Sequence, residues 1–154
     1  NLNLQTANYA RTLHQMGYLN YCQGDYDSAL KWNQKALSIY ETEFGKDHFT
    51  ATTYNNIAGI YLVQGDYASA LEWYQKALCI KETVLGTDHP STAVTYHNVG
   101  MLYYEKGDFR EAVSWLEKAL AIFMKVLGTK HPYTKQTQEH LDAARERMAQ
   151  EGTL

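Results

Sequence analysis

The chain has 154 residues, of which 45% are hydrophobic and 20% are charged, and its formal net charge is −3. This composition is ordinary for a globular protein and, without a basic footprint, predicts no nucleic-acid partner. No stretch approaches the roughly 18 consecutive apolar residues of a membrane span, so we expect no membrane association, and we see no leader-peptide pattern. Cys22 and Cys79 lie far apart in helical text, which predicts free thiols in a reducing compartment, the cytoplasm.

A Gly-Asp-aromatic tripeptide divides the chain at nearly constant intervals. It begins at Gly24, Gly65 and Gly107, which are 41 and 42 residues apart. The text between these points has helical periodicity and almost no strand alternation. Repetition with a period of about 20 to 50 residues is typical of stacked supersecondary units. The sequence therefore predicts helix pairs, in which Gly ends the first helix and Asp caps the second.

The first helix of each pair carries residues at i, i+3, i+4 and i+7, which form one face of a helix. We predict the earliest of these helices over residues about 4–22. The three stripes are Leu13, Met16, Gly17 and Asn20; Tyr54, Ile57, Ala58 and Tyr61; and Tyr96, Val99, Gly100 and Tyr103. The small residue in each stripe predicts the close approach of another helix.

The second helices are predicted over residues about 27–44, 68–85 and 110–127. Trp32, Trp73 and Trp115 each lie eight residues after a turn glycine. Identical placement of the same large side chain predicts a repeated role in helix packing. A ladder of rings that stacks on a ligand is the alternative.

Each second helix ends at a glycine, and a linker with a histidine follows. The glycines are Gly45, Gly86 and Gly128, and the histidines are His48, His89 and His131. We expect these histidines to be linker caps, and Pro90 and Pro132 to take the first position of the next helix. The first linker is one residue short, and we place the missing residue between His48 and Tyr54.

A final helix is predicted over residues about 134–149, and its text becomes polar and charged from Asp142 onwards. A lone helix with a polar outer face suits the end of a stack. We therefore predict a single domain over residues 1–154, with repeats over about 4–47, 48–88 and 89–130 before the closing helix. The tail from Glu151 is expected to be frayed.

These positions resemble the tetratricopeptide repeat (TPR), an antiparallel helix pair with the pattern Trp-x-x-Leu-Gly-x-x-Tyr, then Ala, Phe, Ala and Pro. The best-matching unit has Tyr96, Val99, Gly100, Tyr103, Ala112, Leu116 and Ala119, whereas Glu41, Glu82 and Met124 stand where the family has Pro. The 42-residue period and the Leu-Gly-x-Asp-His-Pro linkers are similar to the kinesin-light-chain subclass. The resemblance implies an all-α fold, a right-handed α-solenoid of antiparallel helix pairs.

The resemblance also implies a non-catalytic scaffold or adaptor that recognises a cargo or partner, with a peptide segment or protein surface in a concave groove lined by the first helices. The candidate groove residues are Arg11, His14, Gln15, Tyr18, Asn55, Asn56, Leu62, His97, Asn98, Met101 and Tyr104. Asn56 and Asn98 occupy one equivalent position, where an amide can pair with a ligand backbone. The alternative is that these amides bond only within the stack. Because Arg11 is the one groove cation, we expect a neutral or mixed ligand.

Two other classes of function receive less support from the sequence. A hydrolase with a histidine site would require turnover that disappears in His97→Ala, and no nucleophile elbow, phosphate loop or His-Glu-x-x-His motif is present. His97 and His140 could approach each other, but they lack a third ligand, so we predict no metal and no cofactor. The structural alternative is a spacer or a self-association module, which would pair through the exposed beginning of the stack near Leu2 and Leu4.

Overall fold

A computed structural model of the protein describes residues 2–152, apart from the side chain of Leu2. These residues form helices and turns and contain no strand. The helices are α1 (Leu2–Cys22), α2 (Tyr26–Phe44), α3 (His48–Val63), α4 (Tyr67–Val84), α5 (Pro90–Lys106), α6 (Phe109–Leu127) and α7 (Pro132–Glu151). The predicted helix pairs and closing helix are confirmed, and the predicted boundaries are correct to within two residues. The tail predicted to be frayed lies partly outside the described residues, since the description ends at Gly152.

The Gly-Asp turns form as the sequence predicts. Asp25, Asp66 and Asp108 each accept a hydrogen bond at Oδ1 from the backbone N–H three residues later, over 3.1, 3.1 and 3.3 Å. The preceding glycines have φ angles of 80°, 78° and 88°, a left-handed conformation that a side chain would strain. These turns of two or three residues reverse the direction of the chain, so each pair is an antiparallel hairpin.

The described residues divide into two compact units, one that ends at Ile80 and one that begins at Lys81, so the boundary lies inside α4. In the first unit α1 packs on α2 and α2 packs on α3. In the second unit α5 packs on α6 and α6 packs on α7. Among the helices of residues 2–152, none combines the length and the apolarity that a membrane crossing requires.

Trp73 and Trp115 on second helices pack against tyrosines of the first helices. The Trp73 ring lies 5.5 Å from Tyr54, and Lys76 Nζ covers it at 4.3 Å from the ring centroid. Trp115 repeats the arrangement with Tyr96 at 5.7 Å and with its own lysine, Lys118. The tyrosine hydroxyls donate to Glu41 and Glu82 on the preceding second helices. The predicted packing role is therefore confirmed for these two tryptophans, and the glutamates that replace the family's proline become partners of the tyrosines.

The cap of α3 differs from the prediction. His89 and His131 do cap α5 and α7, because each Nδ1 accepts a hydrogen bond from a backbone N–H two residues later. At α3, however, Asp47 is the cap and accepts from Thr50 N at 2.9 Å, while His48 is the first helical residue. The expectation for His48 is thus wrong. Because Asp47 holds the place of His89, the missing residue lies before the cap.

The small residues of the first-helix stripes allow close helix contact. A Cβ atom added to Gly100 would lie 2.8 Å from Leu116 Cγ and 3.3 Å from Leu116 N on the facing helix. Gly59 is also within a helix, but a Cβ there would meet only Tyr74 Oη, at 3.8 Å. A side chain is therefore sterically excluded at Gly100 but not at Gly59, where only the low helix propensity of glycine matters.

We predict opposite effects of alanine at these two glycines. Gly100→Ala should lower the free energy of unfolding by about 1–3 kcal/mol, because Leu116 and its backbone must shift. Gly59→Ala should be neutral or stabilising by up to about 1 kcal/mol, since Ala is the better helix former. Urea unfolding followed by circular dichroism measures both, and equal effects of the two changes would contradict the packing argument.

A buried lysine occupies a position that is aromatic elsewhere in the array. Lys81 of α4 takes the repeat position of Tyr40 and Phe123 and is only 3% exposed. Its Nζ donates to Ser91 O at 3.1 Å and to Thr95 Oγ1 at 3.0 Å. Burial of the ammonium lowers the pKa of Lys81 to about 8. The charged form at neutral pH is therefore a cost to the folded state.

Replacement of this lysine should stabilise the protein at neutral pH. We expect Lys81→Met to raise the free energy of unfolding at pH 7 by about 1–3 kcal/mol, because the buried charge disappears. In the wild type, the unfolded chain keeps the Lys81 proton up to about pH 10.5, whereas the folded chain loses it above about pH 8. The free energy of unfolding of the wild type should therefore increase as the pH rises above 8, and the difference from that of Lys81→Met should become smaller. Lys125→Met, at an exposed lysine of α6, serves as the control and should change stability by less than about 0.5 kcal/mol.

Candidate functional site

All the candidate groove residues lie on the first helices α1, α3 and α5, and none of them is fully buried. Arg11, Gln15 and Tyr18 are exposed, and the other eight are half-buried. Met101 and Tyr104 pack against the buried cluster that contains Leu116 and Leu141. These two side chains therefore support the core as well as the surface.

In the first unit, His14 of α1 forms hydrogen bonds with α3, the next first helix along the chain. Thr53 Oγ1 donates to Phe49 O at 2.9 Å, so this hydroxyl accepts from His14 Nδ1, 3.4 Å away. The other ring nitrogen, Nε2, accepts from Asn56 Nδ2 at 2.8 Å. One donor and one acceptor nitrogen describe a neutral imidazole. The nitrogen of the Asn56 amide is thus already bonded to another first helix. This agrees, for that nitrogen, with the alternative that the amide bonds within the array.

The same arrangement recurs in the second unit. Thr137 Oγ1 donates to Tyr133 O at 2.7 Å and accepts from His97 Nδ1 at 2.8 Å. His97 Nε2 then accepts from His140 Nδ1 at 3.2 Å. The predicted approach of His97 and His140 is confirmed. His14 and His97 occupy the same repeat position, so a histidine–threonine bond between neighbouring first helices is a repeated device.

Burial keeps both of these histidines uncharged at neutral pH. It lowers the pKa of His14, and together with the nearby His140 it lowers the pKa of His97 to about 4. A protonated imidazole has two donor nitrogens, so it could no longer accept from Asn56 or His140. Within residues 2–152 no group of three or more His, Cys, Asp or Glu side chains is arranged to hold a metal ion.

A small pocket of 190 Å³ lies beside His14 in the first unit. Its lining comes from α1, α2 and α3 and consists of Arg11, His14, Tyr40, His48, Phe49 and Thr52. The rings of Tyr40 and Phe49 are stacked, with centroids 5.7 Å apart and planes 14° from parallel. Arg11 is the charged side chain of this lining, and Phe49 is 49% exposed.

A matching pocket of 150 Å³ lies beside His97 in the second unit. Its lining comes from α5, α6 and α7 and consists of Val94, His97, Asn98, Phe123, Tyr133, Gln136 and Thr137. Phe123 and Tyr133 pair at 5.7 Å in the positions of Tyr40 and Phe49. Tyr133 is 49% exposed, as Phe49 is. This lining contains no acidic or basic side chain other than the neutral histidine.

The pocket walls include residues that inspection of the first-helix faces did not identify. Tyr40 and Phe123 come from the ends of second helices, and Phe49 and Tyr133 come from the first turn of the following helix. The repeat itself could have indicated them, because both pairs fall at matched positions. The third matched position holds Lys81 and Ser91, which interrupts the pattern in the sequence.

Comparison with known proteins assigns the family. A model of the tetratricopeptide repeat matches residues 8–82 and 49–125, which together cover most of the chain. The chain belongs to the tetratricopeptide repeat family. No protein of curated function matches it at a significant level.

Solved structures agree with this assignment. BtubC (BKLC) from P. vanneervenii is 26% identical with a TM-score of 0.83; the match covers 91% of this chain and 56% of that one. A Podosopora anserina protein named as a kinesin light chain with nearly identical TPR-like repeats is 23% identical with a TM-score of 0.82, covering 94% and 69%. The apo form of RapI is 23% identical with a TM-score of 0.80, covering 93% and 50%. The fold is therefore the all-α TPR solenoid of the kinesin-light-chain type, and this chain spans little more than half the length of BtubC.

The neutral histidine predicts an acid-sensitive stability. The pKa of His97 is about 4 in the folded state and about 6.5 in an unfolded chain, so the unfolded state binds the proton first as the pH falls. The free energy of unfolding should therefore decrease between about pH 6.5 and pH 4, by up to about 3 kcal/mol. His97→Asn, which installs the residue found at the matched position Asn55, should show a shallower decrease. Parallel decreases in wild type and variant would exclude this role for His97.

Proposed function

We propose that this TPR array is a non-catalytic protein-interaction module, part of a scaffold or adaptor, that binds a peptide segment on the surface of its first helices. The recurrence of one pocket in both units carries the proposal. A histidine and a half-exposed aromatic ring take matched positions in the two linings, His14 with Phe49 and His97 with Tyr133. Extended surfaces with repeated features are what such arrays offer to a partner.

The size of the pockets favours single side chains over small-molecule ligands. Volumes of 190 and 150 Å³ are below the roughly 300–1,000 Å³ of sites for drug-sized molecules. The half-exposed rings of Phe49 and Tyr133 offer apolar area that a ligand would cover, and aromatic residues are enriched at interfaces. We therefore propose that each pocket receives one apolar or aromatic side chain of the ligand.

The electrostatics favour a neutral or mixed ligand. His14 and His97 are uncharged at neutral pH because burial lowers their pKa values. Arg11 is the one cation, and it lines only the pocket of the first unit. A ligand with several acidic residues would find one partner there and none in the second pocket. We propose a peptide with at most one acidic group, placed near Arg11.

Backbone recognition would use the amides of the first helices. Asn56 donates through its nitrogen to His14, which fixes the orientation of the side chain. We propose that the Asn56 oxygen accepts from a ligand N–H, and that Asn98, in the lining of the second pocket, acts similarly. An amide that is already oriented loses less entropy on binding than a free one. Cys22 and Cys79 are exposed and are not joined in a disulfide, which suits a reducing compartment such as the cytoplasm.

Selection of peptides tests this function directly. A random dodecapeptide library displayed on phage is selected on the immobilised chain, and the selected peptides are titrated by fluorescence anisotropy. Phe49→Ala and Tyr133→Ala should each weaken binding by about 10-fold or more, as expected for a pocket wall. Asn56→Ala and Asn98→Ala should each weaken it by about 5-fold, the value of one hydrogen bond.

The matched control uses amides on the second helices. Gln34→Ala and Gln75→Ala remove exposed amides from α2 and α4 and should leave the affinity unchanged. Circular dichroism and melting temperature establish that every variant is folded. Peptides that lose affinity equally in the control and pocket variants would refute the first-helix surface as the binding site, and so would selection of no peptide at all.

A further inference from the structure

The hydrogen bonds between α1 and α3 have a fixed direction. Thr53 donates its hydroxyl proton to Phe49 O, so its oxygen accepts from His14 Nδ1. The neutral His14 ring then has a lone pair on Nε2, and Asn56 can bond to it only through its amide nitrogen. The backbone carbonyl, which can only accept, therefore decides that the Asn56 amide turns its nitrogen towards the ring and keeps the lone pairs of Oδ1 for another donor.

The bonds between α5 and α7 in the second unit have the same direction. Thr137 donates to Tyr133 O and accepts from His97 Nδ1. His97 Nε2 then accepts from His140 Nδ1 over 3.2 Å. An imidazole with one proton carries it on one nitrogen, so the proton on His140 Nδ1 leaves Nε2 as an acceptor. His140 lies two 42-residue periods after Asn56, so both chains of bonds end in an acceptor at the same repeat position.

We propose that His140 is a ligand-binding residue, and that the bound peptide donates an N–H group to His140 Nε2 in the second unit as it does to Asn56 Oδ1 in the first. We call these two atoms the terminal acceptors. This inference rests on the proposed function and adds to it a binding residue and a requirement on the ligand. A ligand group that only accepts, such as a carboxylate, would place lone pairs against lone pairs at either position.

Each terminal acceptor belongs to a half-buried side chain beside a pocket. Asn56 is four residues after Thr52, which lines the pocket of the first unit, and His140 is four residues after Gln136, which lines that of the second. Residues four apart on a helix are neighbours on one face, with Cβ atoms about 5–6 Å apart. An extended peptide advances about 3.3 Å per residue. The donor N–H should therefore lie within about two residues of the side chain that fills the pocket.

Nitrogen NMR tests the direction of the bonds without any ligand. Two-bond ¹H–¹⁵N correlation spectra at about pH 8, where imidazoles carry one proton, show which ring nitrogen holds it. We expect the Nδ1–H tautomer in His14, His97 and His140. His89 and His131 are internal controls and should be Nε2–H tautomers, because their Nδ1 atoms accept from backbone N–H groups. An Nε2–H tautomer of His140 would overturn the proposal, since that nitrogen would then donate.

Two substitutions of His140 test the ligand chemistry, with selected dodecapeptides whose binding is weakened by Tyr133→Ala and which therefore engage the second unit. His140→Asn installs the residue of the matched position 56, with a donor for His97 and an acceptor for the ligand, so the affinity should stay within about 3-fold. His140→Lys keeps a donor for His97 but has no acceptor, so the affinity should fall by about 10-fold or more. Glu139→Gln, at an exposed neighbour, is the control and should leave the affinity unchanged.

Changes in the same peptides identify the source of the donor. Each main-chain N–H is replaced in turn by N–CH₃, and each lysine or arginine by norleucine. A loss of about 10-fold at one position, which disappears against His140→Lys, supports the proposal, and the series that contains it shows whether the main chain or a cationic side chain donates.

Three results would overturn the proposal and separate it from the proposed function. Equal affinities of His140→Asn and His140→Lys, with both variants folded by circular dichroism, would exclude a terminal acceptor at this position. So would peptides that no replacement in either series weakens by more than about 2-fold. Selection of no peptide would refute the proposed function and this extension together, whereas the NMR result on His140 would refute the extension alone.

Discussion

The structure depends on a face that a helix pair cannot cover by itself. In the first unit α3 packs on the preceding second helix α2, and in the second unit α7 packs on α6, with Ile57 of α3 and Leu141 of α7 buried. Burial of such side chains stabilises a protein by roughly 1.5–3 kcal/mol each. The matched positions recur at intervals of 41 or 42 residues in the sequence, so the corresponding side chains are buried in α3 and in α7 alike.

This constraint also creates the candidate site. When one first helix is set beside the next, His14 comes within bonding distance of Thr53 and Asn56, and the same occurs for His97 in the second unit. The ends of the second helices then bring Tyr40 and Phe123 against the first turn of the next helix. The pockets are therefore by-products of the packing register, with a chemistry decided by a few positions at each junction.

Much of the fold could be predicted from sequence, because its signals are local. The Gly-Asp turns, the proline starts of α5 and α7 and the helical periodicity each depend on neighbouring residues. The histidine bonds could not be predicted with their partners, since they join residues about 40 positions apart whose register is a tertiary property. The cap at Asp47 was missed because the histidine of that linker suggested the wrong alignment. The burial of Lys81 could not be predicted, because the alkyl chain of a lysine fits the helical periodicity as well as an aromatic ring does.

The shorter linker before α3 indicates which changes of sequence length such an array can tolerate. The chain loses one residue between Gly45 and Asp47, yet Thr50, Thr92 and Thr134 each remain the third residue of their helices. The side chain at the cap changes from imidazole to carboxylate, and the residues beyond it keep their orientation. Insertions and deletions that fall before a cap are therefore absorbed without rotating the packed face. The length of a linker can therefore change while the buried residues of the next helix keep their positions in the helical repeat.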